Sequence, residues 1–273
     1  LLKSAEVNEL AKRIEESEQG ALDSLFSCGL TLPFQIELGL KLLRRDEPLA
    51  KLVAIKTVES LEAYYKMLPQ VAMECTMLKA KLDKAWQKYL EETDLEKKSR
   101  NREAYRKIEL SPDQGCKGLL LKFSFKPKVF QEWLEGPELK SDVEDAIQIA
   151  SAFSASSVQS SAGPAGWQSL YINRARDIEQ RWRLSAAELA HLARNVRKHM
   201  DDADKAREEM FQYHSLLVSL IAESYQDRGV PLAELMEAGN DSLRETIDDY
   251  DYSKGFRFAH LAASSIRFAL LSL

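Results

Sequence analysis

Glycine, proline and cysteine are scarce in this sequence, and long apolar runs are missing from it. Its 273 residues include eleven Gly and eight Pro, too few for a protein built of many strands and tight turns. Leu, Ala, Glu, Lys and Arg dominate, and these residues favour helices. We therefore expect an all-α fold. Three Cys, eleven Gly and 45% hydrophobic residues exclude the disulfide-scaffold, collagen-like and intrinsically disordered classes, respectively.

The three cysteines, Cys28, Cys75 and Cys116, are an odd number and stand far apart. This pattern gives no disulfide framework and no zinc-ligand pair, and it suits a reducing compartment. The longest apolar runs, such as 216–221 and 268–273, are far shorter than the roughly 18 to 20 residues that span a bilayer. We expect no signal peptide. The sequence thus predicts a cytoplasmic protein that does not contact a membrane.

Signatures of catalysis are also lacking. The sequence holds no P-loop, dinucleotide-binding glycine pattern, nucleophile elbow or zinc-ligand spacing. The histidines have no ligand spacing either, and they are His191, His199, His214 and His260. We expect no enzyme, no catalytic residue, no metal and no cofactor. The net charge of −5 argues against a general nucleic-acid coat, although a local surface could still bind a phosphate backbone.

Apolar periodicity and capping residues predict the order of the helices. We expect a helix over 5–25 with a break near Gly20, a helix from Thr31-Leu32-Pro33 through Leu43, and long helical patterns at 49–67 and 69–100. A loop is predicted at 111–115, and the run 119–125 is ambiguous between a helix turn and a strand. Two capping boxes predict the start of further helices: Ser141–Glu144, with a helix to about Ala152, and Ser185–Glu188. The serine-rich stretch 151–166 offers little that can pack, so we predict a flexible loop there. The basic run between Arg174 and Lys198 is typical of a solvated helix face, with DNA or acidic neighbours as the alternatives.

The last third of the chain carries three apolar faces at helical spacing. The predicted faces are Met210, Tyr213, Leu217, Leu220 and Ile221; then Leu232, Leu235, Met236, Leu243, Ile247 and Tyr250; and then Phe258, Leu261, Ala262, Ile266, Ala269 and Leu273. Tight turns separate the three helices. The pattern predicts a compact helical bundle, and on physical grounds alone it indicates an interaction module.

The identities of the residues in this last third indicate more than the apolar pattern does. Tyr225-Gln-Asp-Arg-Gly229, Leu232 through Asn240, Tyr250-Asp-Tyr-Ser-Lys-Gly-Phe-Arg-Phe258 and Ile266-Arg267 closely resemble, in order and spacing, the core-binding and promoter-melting segment of bacterial sigma-70 family initiation factors. Upstream, 9–15 resembles the first conserved helix of primary sigma factors, and 183–189 with 206–210 resembles the lead-in to their second conserved region. The resemblance implies first conserved helices over 1–37, a variable helical insertion over 38–183, and core-binding and minus-ten-recognition helices over 184–273. No part of the chain resembles the family's downstream domains.

The resemblance implies a docking helix. In the family, the helix that matches 232–247 binds the coiled coil of the largest polymerase subunit through one exposed face. The positions implied here are Glu234, Glu237, Asn240 and Arg244. The chain departs from the pattern at Ala238, where an acidic residue is usual, and at Arg244, where an apolar one is usual. A solvated acidic face without a partner is the alternative interpretation.

The resemblance also implies a DNA-binding face, which here is strongly altered. Family members stack unpaired minus-ten bases on aromatic side chains; this chain has Leu261 where a Tyr is usual and Ser264-Ser265 where a Trp pair is usual. The implied DNA-binding positions are Lys254, Phe256, Arg257, Phe258, His260, Ser264, Ser265 and Arg267. From Asp241 to Leu273 there are four basic and five acidic residues, so binding to promoter DNA should be weak. Packing beneath the turn is the alternative role for Phe256 and Phe258.

Three functions follow as hypotheses. The leading one is a sigma-like polymerase subunit that binds core RNA polymerase and takes part in promoter-specific initiation. The alternative is a divergent paralogue that docks on core polymerase as a regulator without normal minus-ten melting. The third is a helical scaffold unrelated to transcription, which would require the resemblance to be accidental.

Overall fold

A computed structural model describes residues 4–53, 58–112, 114–155, 167–226 and 229–273. Helices occupy most of these residues, and the only β feature among them is an isolated antiparallel bridge between Val53 and Phe125. The helices are α1 (Ser4–Phe26), α2 (Leu32–Arg44), α3 (Leu49–Leu52), α4 (Val58–Glu91), α5 (Leu95–Glu109), α6 (Cys116–Leu120), α7 (Pro127–Leu134), α8 (Pro137–Ala155), α9 (Trp167–Trp182), α10 (Ala186–Glu223), α11 (Leu232–Asp249) and α12 (Phe258–Leu271). The predicted all-α class is confirmed. None of the helices in the described ranges is long and apolar enough to cross a membrane.

The chain forms two compact units. Unit 1 contains Leu1–Gly20 and Arg197–Leu273, and unit 2 contains Ala21–Val196. Their limits fall inside α1 and α10, whereas the sequence-based segments end at residues 37 and 183. The predicted site residues all belong to unit 1.

In unit 2, α4 continues through Pro69, so the predicted break between two helices at this point is wrong. An internal proline costs a backbone hydrogen bond, but α4 buries Leu68 and Val71 beside it and Trp86 near its end. The predicted pattern over 69–100 is interrupted after Glu91 instead. Asp94 Oδ1 accepts a hydrogen bond from the Lys97 amide at 2.9 Å and so caps the start of α5.

Helix α8 differs from the prediction at both ends. It begins at Pro137, a residue favoured in a first turn, and the predicted capping box at 141–144 lies inside it. It also continues to Ala155, so the prediction of a loop is wrong for residues 151–155. The rest of the predicted loop, 156–166, lies outside the described residues.

Asp142 joins α8 to α9 in unit 2. Its carboxylate is 1% exposed and accepts hydrogen bonds from Arg174 at 2.6 Å, Arg181 at 2.9 Å and the indole Nε1 of Trp182 at 2.6 Å. Arg174 also binds Asp145 at 2.6 Å. These arginines of the basic run therefore bind acidic neighbours, which is one of the alternatives that the sequence left open.

In unit 1, α1 and α10 approach each other closely at a glycine. A Cβ atom at Gly20 would lie 2.6 Å from His199 Cε1, so the residue predicted to break α1 instead allows this approach. Helix α1 is continuous through it.

The capping box that opens α10 is confirmed. The Glu188 amide donates to Ser185 Oγ at 3.2 Å, and the Ser185 amide donates to Glu188 Oε2 at 2.7 Å.

The buried face of α10 is partly different from the predicted one. Tyr213 is 47% and Leu220 57% exposed, so their assignment to the hydrophobic core is wrong. Helix α11 packs so closely against α10 that a Cβ at Gly239 would lie 2.6 Å from Val218 Cγ1. Such a close approach favours small side chains at the contact between the two helices. The residues of α10 buried in unit 1 are Ala203, Ala206, Met210, His214, Val218, Ile221 and Ala222.

The two last helices bury most of their predicted apolar residues. Leu235, Leu243 and Ile247 of α11 and Phe258, Ala262 and Ile266 of α12 join the hydrophobic core of unit 1. The exceptions are Leu232, Leu261 and Leu273, which are 41%, 36% and 53% exposed, whereas Leu270 is 2% exposed. Leu270 lies one turn beyond Ile266 and therefore continues the buried face of α12, whereas Leu261 and Leu273 lie outside this face.

Candidate functional site

The exposed side of α11 is fixed by its buried side. Leu235, Gly239 and Leu243 face the hydrophobic core of unit 1, and at 100° per residue this directs Glu234 and Glu237 to solvent. Both glutamates are exposed. Neither has an ion-pair partner within the described ranges. They present two uncompensated negative charges in the first half of the helix.

Asn240 and Arg244 lie on the same side of α11, at the edge nearest α10. Asn240 is half-buried. The Arg244 guanidinium lies 3.9 Å from the centroid of the Phe211 ring and 3.4 Å from Glu208 Oε2. These contacts hold the arginine against α10. The four predicted docking positions therefore share one surface, hereafter the docking face, which has two acidic residues at one end and an anchored cation at the other.

A second arginine fixes the far end of α11. Arg207 of α10 binds Asp248 of α11 at 2.9 Å and Asp204 at 3.0 Å, and it also binds Glu18 of α1. Burial raises the pKa of the Glu18 carboxyl, although Arg207 opposes this shift. Three helices of unit 1 are thus tied together next to the docking face.

Tyr250 organises the turn that leads into α12. Its hydroxyl lies 3.0 Å from Asn8 Oδ1 and 3.0 Å from the carbonyl oxygen of Phe256. Gly255 adopts a left-handed φ of 72°, a conformation that glycine tolerates best. Asp251 accepts hydrogen bonds from the amide and hydroxyl of Ser253, which lower the pKa of its carboxyl. Residues 250–257 therefore form an ordered turn.

The two phenylalanines of this turn have different environments. Phe256 is 61% exposed, and it is flanked by the exposed side chains of Lys254 and Arg257. Phe258 is 2% exposed, with its ring edge-on to His214 at 4.7 Å and to Tyr250 at 5.1 Å. A buried ring offers no face to a base. Phe258 is therefore a residue of the hydrophobic core, as its alternative role suggested, and in this structure its ring is not accessible to a base.

The other predicted DNA-binding positions lie on or near the outer side of α12. His260, Ser264 and Arg267 are exposed, and Ser265 is half-buried. They bring two hydroxyl groups, an imidazole and a guanidinium to this side of the helix but no phenyl, phenol or indole ring. Among the predicted positions, Phe256 carries the one accessible phenyl ring.

His214 is a residue whose structural role the sequence did not indicate. It is 1% exposed, and its Nδ1 lies 2.8 Å from the Met210 carbonyl oxygen, so that nitrogen donates the hydrogen bond. Burial lowers the pKa of the imidazole because a charged ring is poorly solvated there. The neutral ring packs beneath the turn that carries Phe256.

The stability of unit 1 should therefore decrease in acid. The unfolded chain binds a proton at His214 near its ordinary pKa of about 6.5, whereas the folded chain resists protonation, so the free energy of unfolding falls as the pH drops below about 6.5. Hydrogen exchange of α10–α12 amides at about pH 7 and about pH 5 measures this effect. A His214→Gln variant should lose less protection between the two pH values. An equal loss in both proteins contradicts the assignment.

Metal ligation and thiol chemistry find no support here. Within the described part of the chain, His, Cys, Asp and Glu side chains form no group of three that could hold a metal ion. Burial raises the pKa of the Cys28 and Cys75 thiols to about 12, which keeps them protonated and unreactive at neutral pH.

Comparison with known proteins supports a sigma-70 family relationship over part of the chain. Ninety-four residues, 34% of this chain, are 32% identical to the RNA polymerase sigma factor RpoD of Neisseria gonorrhoeae, of which they cover 15%. Eighty-four residues, 31% of this chain, are 38% identical to the RNA polymerase sigma factor RpoS of Coxiella burnetii, of which they cover 23%. No protein-family model matches the chain. The similarity spans less than a quarter of either relative.

Proposed function

We propose that this protein is a sigma-like subunit of bacterial RNA polymerase that binds the core enzyme and takes part in promoter-dependent transcription initiation. Its role is binding, not catalysis, and its place of action is the cytoplasm. The proposal rests on the docking face: Glu234 and Glu237 are exposed side by side on α11 without a described ion-pair partner. The similarity to two RNA polymerase sigma factors supports the same role.

The proposed contact is a coiled coil of the largest polymerase subunit. Uncompensated carboxylates at a protein interface attract basic residues of a partner and set the register of docking. Arg207 and the close packing at Gly239 hold α11 in place, so little ordering is needed on binding. Arg244 adds a cation at the far edge, where an acidic residue of the partner would fit.

The proposed contact with promoter DNA is weaker. It comprises Lys254, Phe256, Arg257, His260 and Arg267, with Ser264 and Ser265 at its edge. One exposed ring supplies a stacking surface for one base. The surrounding acidic residues oppose the phosphate contacts that dominate nucleic-acid affinity. We therefore propose DNA binding with little sequence preference.

We also propose that the chain consists of three segments. Residues 1–37 correspond to the first conserved helices of a sigma factor, 38–183 to a variable helical insertion, and 184–273 to the core-binding and minus-ten helices. Residues 184–196 of this last segment belong to unit 2 and residues 197–273 to unit 1.

A second function is favoured by the altered DNA surface. Since Phe258 is buried and serines occupy 264 and 265, the chain has few groups with which to hold melted DNA. A regulator that docks on core polymerase without melting the minus-ten element would need only the docking face.

One experiment separates the two functions. The full chain is purified with core RNA polymerase, and the complex is footprinted with permanganate on promoter DNA. Binding with reactive minus-ten thymines supports initiation, and binding without them supports the regulator. If the chain does not bind core polymerase, both proposals fail.

A further inference from the structure

A groove between α11 and α12 borders the proposed DNA contact, because Ser264 and Ser265 line it. It is open to solvent and has a volume of about 650 Å³. Asp241 and Glu245 line it from α11, and Ser265, Phe268 and Ser272 line it from α12. None of the four docking positions lines the groove, although Asp241 follows Glu237 by one turn of α11.

The acidic wall of the groove lacks compensating charge. Asp241 and Glu245 are both exposed and stand one helical turn apart, where like charges repel each other. Neither carboxylate has an ion-pair partner in the described part of the chain, and none of the described residues lining the groove is basic. A cation placed between them would remove this repulsion.

The other wall is apolar at its rim. Phe268 is 75% exposed and Leu271 55%, and Leu261 adds a third apolar side chain one turn before Ser264 on the same side of α12. Covering large apolar side chains with a partner removes them from water, which favours binding. An aromatic face also attracts ammonium and guanidinium groups. Both properties of the rim suit a ligand that is apolar on one side and basic on the other.

We propose that this groove binds a basic amphipathic segment of a partner protein. Lysine or arginine side chains of that segment pair with Asp241 and Glu245, and its apolar residues cover Phe268 and Leu271. DNA fits poorly, because phosphates would face two carboxylates with no cation in the groove. The inference uses none of the four docking positions, since none of them lines the groove.

The test measures peptide binding to the full chain by fluorescence anisotropy. The probe is a labelled synthetic peptide of leucine and lysine whose leucines share one helical face. Glu245→Lys and Phe268→Ser should each weaken binding about tenfold. Glu223→Lys, an equal charge reversal at an exposed position of α10, should leave the affinity unchanged. Because Phe268 is three-quarters exposed, its replacement leaves the hydrophobic core intact.

Two further probes fix the chemistry of the ligand. A leucine and glutamate peptide of the same pattern should bind at least about tenfold more weakly, and a minus-ten oligonucleotide should not displace the lysine peptide. Equal affinity for both peptides, displacement by DNA, or binding that ignores Glu245→Lys and Phe268→Ser overturns the proposal. Binding to core polymerase, measured on the same variants, reports separately on the proposed function.

Discussion

Replacement of Asp142 by alanine is expected to destabilise unit 2 by about 2–3 kcal/mol. The buried carboxylate accepts hydrogen bonds from Arg174, Arg181 and Trp182, and its removal leaves the indole N–H of Trp182 without this acceptor. The full cost of breaking a buried pair, about 3–5 kcal/mol, is not expected because Arg174 and Arg181 are partly exposed and can be rehydrated. All three donors lie in α9, so the attachment of α9 to α8 should loosen first.

Asp145→Ala is the matched control. Asp145 lies on the same helix and binds Arg174, but it is partly exposed, so its loss should cost about 0.2–1 kcal/mol. Urea denaturation followed by tryptophan fluorescence measures both variants, because all four tryptophans of the sequence belong to unit 2. If Asp142→Ala costs no more than Asp145→Ala, the carboxylate does not hold the two helices together.

Introduction of tryptophan at both 264 and 265 is expected to strengthen binding to minus-ten single strands. Aromatic platforms stabilise each stacked base by about 1–3 kcal/mol, equivalent to roughly tenfold or more in affinity. Ser264 is exposed and Ser265 half-buried, and both line the open groove between α11 and α12, so the new rings have room without entering the hydrophobic core. The unmodified chain should bind weakly.

Fluorescence anisotropy with a minus-ten oligonucleotide and a scrambled one tests this prediction, at fixed salt because the ionic contribution depends on it. Ser272→Trp, at the exposed end of the same helix, shows whether any added aromatic surface suffices. Tight and sequence-selective binding by the unmodified chain contradicts the prediction. In that case Phe256, Arg257, His260 and Arg267 recognise the bases without a tryptophan pair.

Features that depend only on residues close together in the sequence were predictable. The capping box of Ser185 and Glu188 satisfies its own amides, so the start of α10 follows from four residues. The inward residues of α11 repeat at helical spacing, and this alone places Glu234 and Glu237 in solvent. The docking face was therefore predictable as a set of exposed positions.

Features that depend on packing partners were not predictable. Tyr213 and Leu220 are apolar at the right spacing, yet the close approach at Gly239 selects Val218 and small residues for the interface. Phe258 is buried because the ordered turn before it directs its ring toward His214 and Tyr250. Neither contact leaves a local pattern in the sequence. The groove between α11 and α12 likewise exists only once the two helices are side by side.

The most direct test of the central claim is the affinity of the full chain for core RNA polymerase with Glu237→Lys. Like charges would then meet across the proposed contact, and binding should weaken by about 1–3 kcal/mol. Glu245→Lys, the same reversal on the groove side of α11, should bind as the unmodified chain does, with circular dichroism showing both variants folded. Unchanged affinity in Glu237→Lys, or an equal loss in both variants, would contradict docking through this face.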